Sequence, residues 1–475
     1  MKKNNIIYAL VLVMIVTGFT ACEKKLDQTP EGVLFDSEAI TDYQSLQAAI
    51  LGAYNGLLDL NYYGRNYPTI LEIRGNDSYI TLQNSNRLLS SFRYNYTTSD
   101  GDVAGIWNAL YRVILRANNV INRSINVKDG DPAAKQQILG EAYFIRALAY
   151  FDLVRVFGKQ YTLPGGPSSL GVPLVTQFEI GNPSRNTVSE DYDFIINDLK
   201  QAKALLPDDP TQKFRATLMA AGALLARVYL FHGDNAAAAQ EATNVISSGE
   251  FALTDPTLFG TGVFWKTPGS DEEIFSIKVS QFQDRGSDNY GSLYNPTELA
   301  GYGDVRASPD FAATYDPADA RLGLIFQNPN DGALYIQKFK IQDNIYGLYS
   351  PKLLRLAEMY FIRAEAFFKI GQPTDAANDL TAVRQFRNLP DFSGTVTLET
   401  ILDEKNWEFA FEGFQWQDRL RNGLDTPRPY NPDATGLAGS DDLPVDSYKQ
   451  LFPIPQTEID ANTGIKDQQN PGYTQ

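Results

Sequence analysis

Cysteine and histidine are almost missing from this chain of 475 residues: each occurs once, as Cys22 and His232. A single cysteine excludes an intrachain disulfide framework and any cysteine-rich metal centre. A single histidine excludes multi-histidine metal sites. A Ser-His-Asp triad would have to use that one residue, and no GxSxG turn lies near it. His232 stands between Phe231 and Gly233 at the end of an apolar run, where a helix-terminal contact is its expected role. Positive charge is also in deficit: 41 Lys and Arg face 57 Asp and Glu, giving a formal net charge of −16. Such a chain repels phosphate backbones, so no nucleic-acid partner is expected.

What the chain does have is long apolar helices that end in glycine. Leu353 to Gly371, LLRLAEMYFIRAEAFFKIG, is interrupted only by Arg355, Glu358, Arg363, Glu365 and Lys369 and shows no strand-like alternation. A helix this apolar must be covered on more than one side, and Ala357, Ala364 and Ala366 let neighbours approach closely. Gly371, Gln372 and Pro373 stop it, and a second helix is expected from Thr374 to Arg387. The same hairpin recurs at Thr217 to Gly233, followed by Asn235 to Ser248. A third apolar helix, Gly140 to Gly158, repeats the string YFIRA at Tyr143–Ala147 and Tyr360–Ala364. Helix pairs recurring at roughly 34 residues are the mark of tetratricopeptide-like stacking, in which each pair buries its apolar face against its neighbours.

Taken in order, Asp42 to Leu60 has Leu46, Ala49, Ile50, Ala53, Tyr54 and Leu57 at helical spacing. Val103 to Arg123 has Trp107, Leu110, Tyr111, Ile114 and Ala117 on one face. A linker is expected before Gly140. Thr187 or Ser189 should cap a helix running to about Leu206, with Tyr192, Ile195, Ile196, Leu199 and Ala202 inward. From Leu398 one helix should carry WEFAFEGFQWQDRL. The fold class is therefore mainly α: four tetratricopeptide-like helix pairs in a frame (about 42–60, 103–248 and 352–413). An irregular second lobe of loops, short helices and small strands takes about 61–101, 249–350 and 414–450. EEIFSIKVS and ALYIQKF supply the strand candidates.

The N-terminus reads as a processing signal. Lys2 and Lys3 precede an apolar stretch, Ile6 to Phe19, too short to span a bilayer. Phe19-Thr20-Ala21-Cys22 is similar to a bacterial lipoprotein signal, with residues 1–21 removed and Cys22 acylated. Loss of the two lysines takes the charge from −16 to −18. An acidic body is not drawn to an anionic bilayer, so the lipid would be the anchor.

Four motifs carry a resemblance. Arg355-Leu-Ala-Glu358-Met-Tyr-Phe-Ile-Arg363-Ala-Glu365-Ala is one. Glu408-Phe-Ala-Phe-Glu412-Gly413 with Asp418 is the second. Leu451-Phe-Pro-Ile-Pro455, Glu458 and Gln469-Asn470-Pro471-Gly472-Tyr473 form the third, and Trp107, Tyr111 and Asn118 the fourth. Together they resemble the SusD/RagB family of surface glycan-binding lipoproteins of Bacteroidetes-type bacteria, across essentially the whole chain. The resemblance implies an outer-membrane, lipid-anchored, surface-facing protein that is not an enzyme and needs no cofactor. It also implies a partner, a SusC-like TonB-dependent transporter, to which oligosaccharide is delivered. The charged residues of the central helix are expected to pair with each other rather than bind ligand.

Sugar rings offer C–H faces that stack on aromatic rings, and hydroxyls that pair with Asn, Asp and Arg. Those residue types crowd the 61–101 loop and the insertion. The candidate ligand-binding residues are Arg74, Asn76, Asp77, Tyr79, Tyr94 and Tyr96 from the first, and Trp265, Phe282, Tyr290 and Tyr294 from the second. A peptide- or protein-binding member of the same family is the alternative, since helical-repeat frames usually bind proteins. A glycoside hydrolase needs only two carboxylates, but nothing in the sequence marks such a pair.

Overall fold

Aspartate and threonine caps start most of the long helices, and a left-handed glycine makes the turn of each tight hairpin. The computed structural model describes residues 40–81, 83–84, 86–177, 181–428 and 442–474. The expected signal (1–21) and Cys22 lie outside the described residues. Tyr43–Leu57 (α1) opens on a reciprocal cap between Asp42 and Ser45. Asp100 caps Gly101–Ser124 (α2), and Asp131 caps Pro132–Phe157 (α3). Thr187 and Glu190 cap one another at Val188–Leu205 (α4). Thr217 caps Leu218–His232 (α5), which ends on left-handed Gly233 and leads into Asn235–Ser247 (α6). Leu356–Lys369 (α7) turns through left-handed Gly371 into Pro373–Gln385 (α8).

Each helix from α1 to α8 packs against the next, so four pairs stack into one frame. The faces read from the periodicity are the buried ones: Leu46, Ile50, Ala53 and Leu57 on α1, and Tyr192, Ile195, Ile196, Leu199 and Ala202 on α4. The two YFIRA strings do the same job in different pairs. Arg146 of α3 holds Asp198 of α4 at 2.7 Å, and Arg363 of α7 holds Asp379 of α8 at 2.6 Å. His232 closes α5 packed against Tyr161, and burial lowers its pKa.

Three boundaries differ from expectation. The linker before Gly140 is the first two turns of α3, since Asp131, Pro132 and two alanines make a strong helix start. Lys352–Arg355 is a strand (β8), not the head of α7, and pairs with Glu273–Ser276 (β2). The last helix is two, Leu398–Phe409 (α9) and Gln415–Arg421 (α10). The break falls where Phe411 and Gly413 adopt positive φ (+71° and +78°).

The charges of the central motif pair across elements rather than chiefly with each other. Arg355 reaches Glu272 (2.7 Å), Glu408 (3.0 Å) and Glu412 (2.9 Å). Glu358 takes Arg227 at 2.5 Å, and Glu365 takes Arg421 at 2.5 Å. This buried ionic seam joins frame to lobe. Within the lobe, Ser78–Ile80 (β1) of the first loop pairs antiparallel with Val305–Ala307 (β3) of the insertion, Tyr79 opposite Arg306. Ile325–Gln327 (β4) pairs with Leu334–Ile336 (β5), and Ile341–Gln342 (β6) with Ile345–Tyr346 (β7). The two sequence-distant loops thus form one lobe.

Candidate functional site

Of the ten ligand-binding candidates, eight lie in the interior. Arg74 is fully buried, its guanidinium 3.8 Å over the Trp416 ring, donating to Tyr96 Oη (2.9 Å) and the Lys449 carbonyl (2.9 Å). Tyr94 donates to the Arg74 carbonyl (2.7 Å), and Tyr96 to that of Lys449. Asp77 accepts from Asn406 (3.0 Å), and burial pushes its pKa up to about 7. Tyr79 is buried in β1. Trp265 lies beneath the Lys338 ammonium, and Tyr290 and Tyr294 stack on each other at 5.8 Å. Half-buried Asn76 exchanges hydrogen bonds with Gln415. Phe282 alone stands in solvent, 90 % exposed. The buried rings and charges build the lobe and anchor the C-terminal segment.

At the surface of the lobe, along the line where the two loops meet, half-buried Tyr302 and Arg87 are backed by buried Asp304 and Arg65. Tyr302 is half-buried, its backbone N–H tied to the Ser292 carbonyl (2.7 Å). The Arg87 guanidinium lies 3.5 Å from the Tyr302 ring centroid and donates to Asp304 Oδ2 at 3.0 Å. Backbone bonds from Thr81 N to Asp304 O (3.0 Å) and the β1–β3 ladder fix this group. Beside it, Arg65 pairs with Asp288 at 2.6 Å, and Arg285 ties its turn to the Leu58 carbonyl of the frame at 2.6 Å. Burial raises the Asp304 carboxyl, opposed by Arg87. At the start of α2, burial and then Asp100 push Asp102 up to about 6, opposed by Arg65.

This patch offers an aromatic ring and a planar cation, with the exposed carboxylate of Asp288 nearby, all held from behind by buried Asp304 and Arg65 and by backbone at several points. It can stack on and hydrogen-bond a hydroxylated ring. Sequence reasoning selects residue types and so missed Arg87, Asp304 and Arg65. The usable signal was Gly301-Tyr302-Gly303, because a ring between glycines has no neighbouring side chain to cover it. Among the described residues, no group of His, Cys, Asp and Glu is placed to hold a metal ion.

A family profile described as "Starch-binding associating with outer membrane" matches residues 26–230, and one described as "SusD family" matches residues 325–473. "SusD-like protein P2" of Formosa agariphila is 27 % identical over an alignment of 530 positions covering all of both chains. The crystal structure of a SusD superfamily protein from Bacteroides thetaiotaomicron superposes with TM-score 0.84 at 29 % identity. It covers 90 % of this chain and 100 % of that one. The starch-binding protein SusD of the same species is 38 % identical over 121 residues, 26 % of this chain and 21 % of that protein. The chain belongs to the SusD/RagB family, a glycan-binding family associated with the outer membrane.

Proposed function

We propose that this protein is a cell-surface lipoprotein that binds oligosaccharide on its lobe and delivers it to a SusC-like TonB-dependent transporter, without catalysis. The observation that carries this reading is the half-exposed Tyr302 ring stacked with Arg87 beside Asp304, in a chain of this family. Phe282 supplies a second, exposed ring on the same lobe. Stacking on open surfaces of this kind gives weak binding, on the order of micromolar to millimolar. Among the described residues no helix is long and apolar enough to cross a membrane; attachment through acylated Cys22 is the anchor in this reading.

Titration with maltoheptaose, laminarihexaose and xylohexaose beside a peptide library tests the ligand class. Binding of at least one oligosaccharide, weakened about tenfold by Tyr302→Ala, is the expected result. Retention of peptides with no response to any of the sugars would overturn it. For the partner, the native protein should leave detergent-solubilised membranes together with a β-barrel, and its isolation alone would count against delivery. Replacing Cys22 by serine should release the protein from the membrane fraction.

A further inference from the structure

A separate cleft of about 540 Å³ opens on the frame, between α2, the segment that follows α3, and the C-terminal helix Gln456–Ala461. Its walls include none of Arg65, Arg87, Phe282, Tyr302 or Asp304. Tyr111 is half-buried at the wall; its phenol donates to the Pro173 carbonyl at 2.9 Å, which fixes the ring. Trp107 lies behind it, ring centroids 4.9 Å apart, and donates its indole N–H to Glu458 at 3.2 Å. Glu458 also accepts from Asn462 at 3.2 Å, so the floor is tied together. Asn108 and Gln177 stand exposed at the mouth, with Asn182 beside them.

The chemistry of this lining is narrow. Carboxamides both donate and accept, which suits hydroxyl groups, and a fixed tyrosine suits the C–H face of a pyranose. Among the described residues no lysine or arginine lines the cleft, so phosphate or acidic sugars would find no cation there to bind them. Among the described residues no strand edge borders it, so an extended peptide has no ladder to join there. The volume falls in the range of about 300–1,000 Å³ usual for small-molecule sites. We infer that this cleft is a second carbohydrate-binding site, taking neutral pyranose units on the frame side of the molecule. It does not rest on the reading of the Tyr302 patch.

The test uses the full chain with maltoheptaose, laminarihexaose and xylohexaose as probes. Tryptophan emission is the readout, because Trp107 lines the cleft. In a Tyr302→Ala background at least one probe still binds saturably and shifts the emission. Adding Tyr111→Ala abolishes that shift. Asn108→Arg does so too, by placing a bulky cation at the mouth; Asn108 is exposed, so this variant keeps the test valid if Tyr111→Ala fails to fold. The inference is overturned if no probe binds the Tyr302→Ala chain, or if the shift persists in Asn108→Arg. The patch reading fails separately, when Tyr302→Ala leaves binding to the parent chain unchanged.

Discussion

The frame and the lobe solve the problem of burial in different ways. In the frame, regular helices stack through alanine-lined contacts, and each YFIRA arginine meets one aspartate on the next helix. In the lobe, strands are only two to four residues long, and Asn86, Leu88, Tyr94, Ala300, Asp343 and Asn344 all adopt positive φ. No residue of α1 to α8 does so. What holds the lobe to the frame is the buried ionic seam, where one guanidinium serves several carboxylates. The frame therefore loses little when one contact goes, while the seam loses several at once.

The largest expected effect lies there. Arg355→Met takes from buried Glu272 and Glu408 and from Glu412 the one cation all three share, leaving Arg387 to serve the first two and Lys338 the third. It should cost about 3 kcal/mol in urea unfolding. Arg363→Met removes a single pair whose arginine is partly exposed while Asp379 is buried, and should cost about 1 kcal/mol. Equal losses would break the distinction between seam and frame. Next come two glycines of the frame itself. A Cβ at Gly140 would meet Leu206 Cγ at 2.9 Å and Leu205 Cβ at 3.0 Å, so Gly140→Ala should cost about 1–3 kcal/mol by overpacking. At Gly52 nothing lies within 4 Å, and Gly52→Ala should instead stabilise α1 by about 0.5–1 kcal/mol. Melting temperatures that move the same way in both variants would refute the packing argument.

The same contrast explains what could be read from the chain. Helices α5 to α8 were legible because apolar period and glycine stops agree, as at Gly233 and Gly371. Lys352–Arg355 was not, because its two leucines run straight into the apolar helix and a short buried run looks alike in strand and helix. The first turns of α3 were hidden by their polarity. For the ligand surface the limit is deeper. Tyr290 and Tyr302 are the same residue type in the same insertion, yet one is stacked on Tyr294 in the core and the other faces out beside Arg87. Which ring stays open depends on pairing between β1 and β3, more than 200 residues apart in the chain. Local sequence does not encode that.

A pH test sharpens the frame side. Asp191 at the head of α4 is buried and accepts from Val172 N at 2.8 Å. Burial, above all, pushes its pKa up to about 8, while the Val172 hydrogen bond and Arg185 act against the rise. The folded state thus keeps a proton that the unfolded chain releases near pH 4. Stability from this group is complete below pH 4, declines as pH rises, and is gone above about 8. Asp191→Asn removes the dependence. Relative to the parent it should gain on the order of 1 kcal/mol per pH unit between pH 5 and 8. A difference that stays flat across that window would mean the carboxyl is ionised in the fold.

The smallest effect on stability should come from the most exposed ring. Phe282 sits in a short 3-10 turn, Gln281–Gln283, and buries almost nothing, so Phe282→Ser should leave the urea midpoint within about 0.5 kcal/mol of the parent. The turn is nonetheless held in place: Ser280 and Gln283 cap one another across it, and just beyond it Arg285 donates to the Leu58 carbonyl at 2.6 Å and Asp288 pairs with Arg65 at 2.6 Å. A ring presented this firmly, without a packing role, acts only on what approaches from solvent. Phe282→Ser should accordingly weaken the bound oligosaccharide about threefold, less than Tyr302→Ala does, because Phe282 brings no neighbouring cation or carboxylate to the contact. If stability falls and binding does not, the ring is covered in solution, and the lobe presents its ligand face through Tyr302 alone.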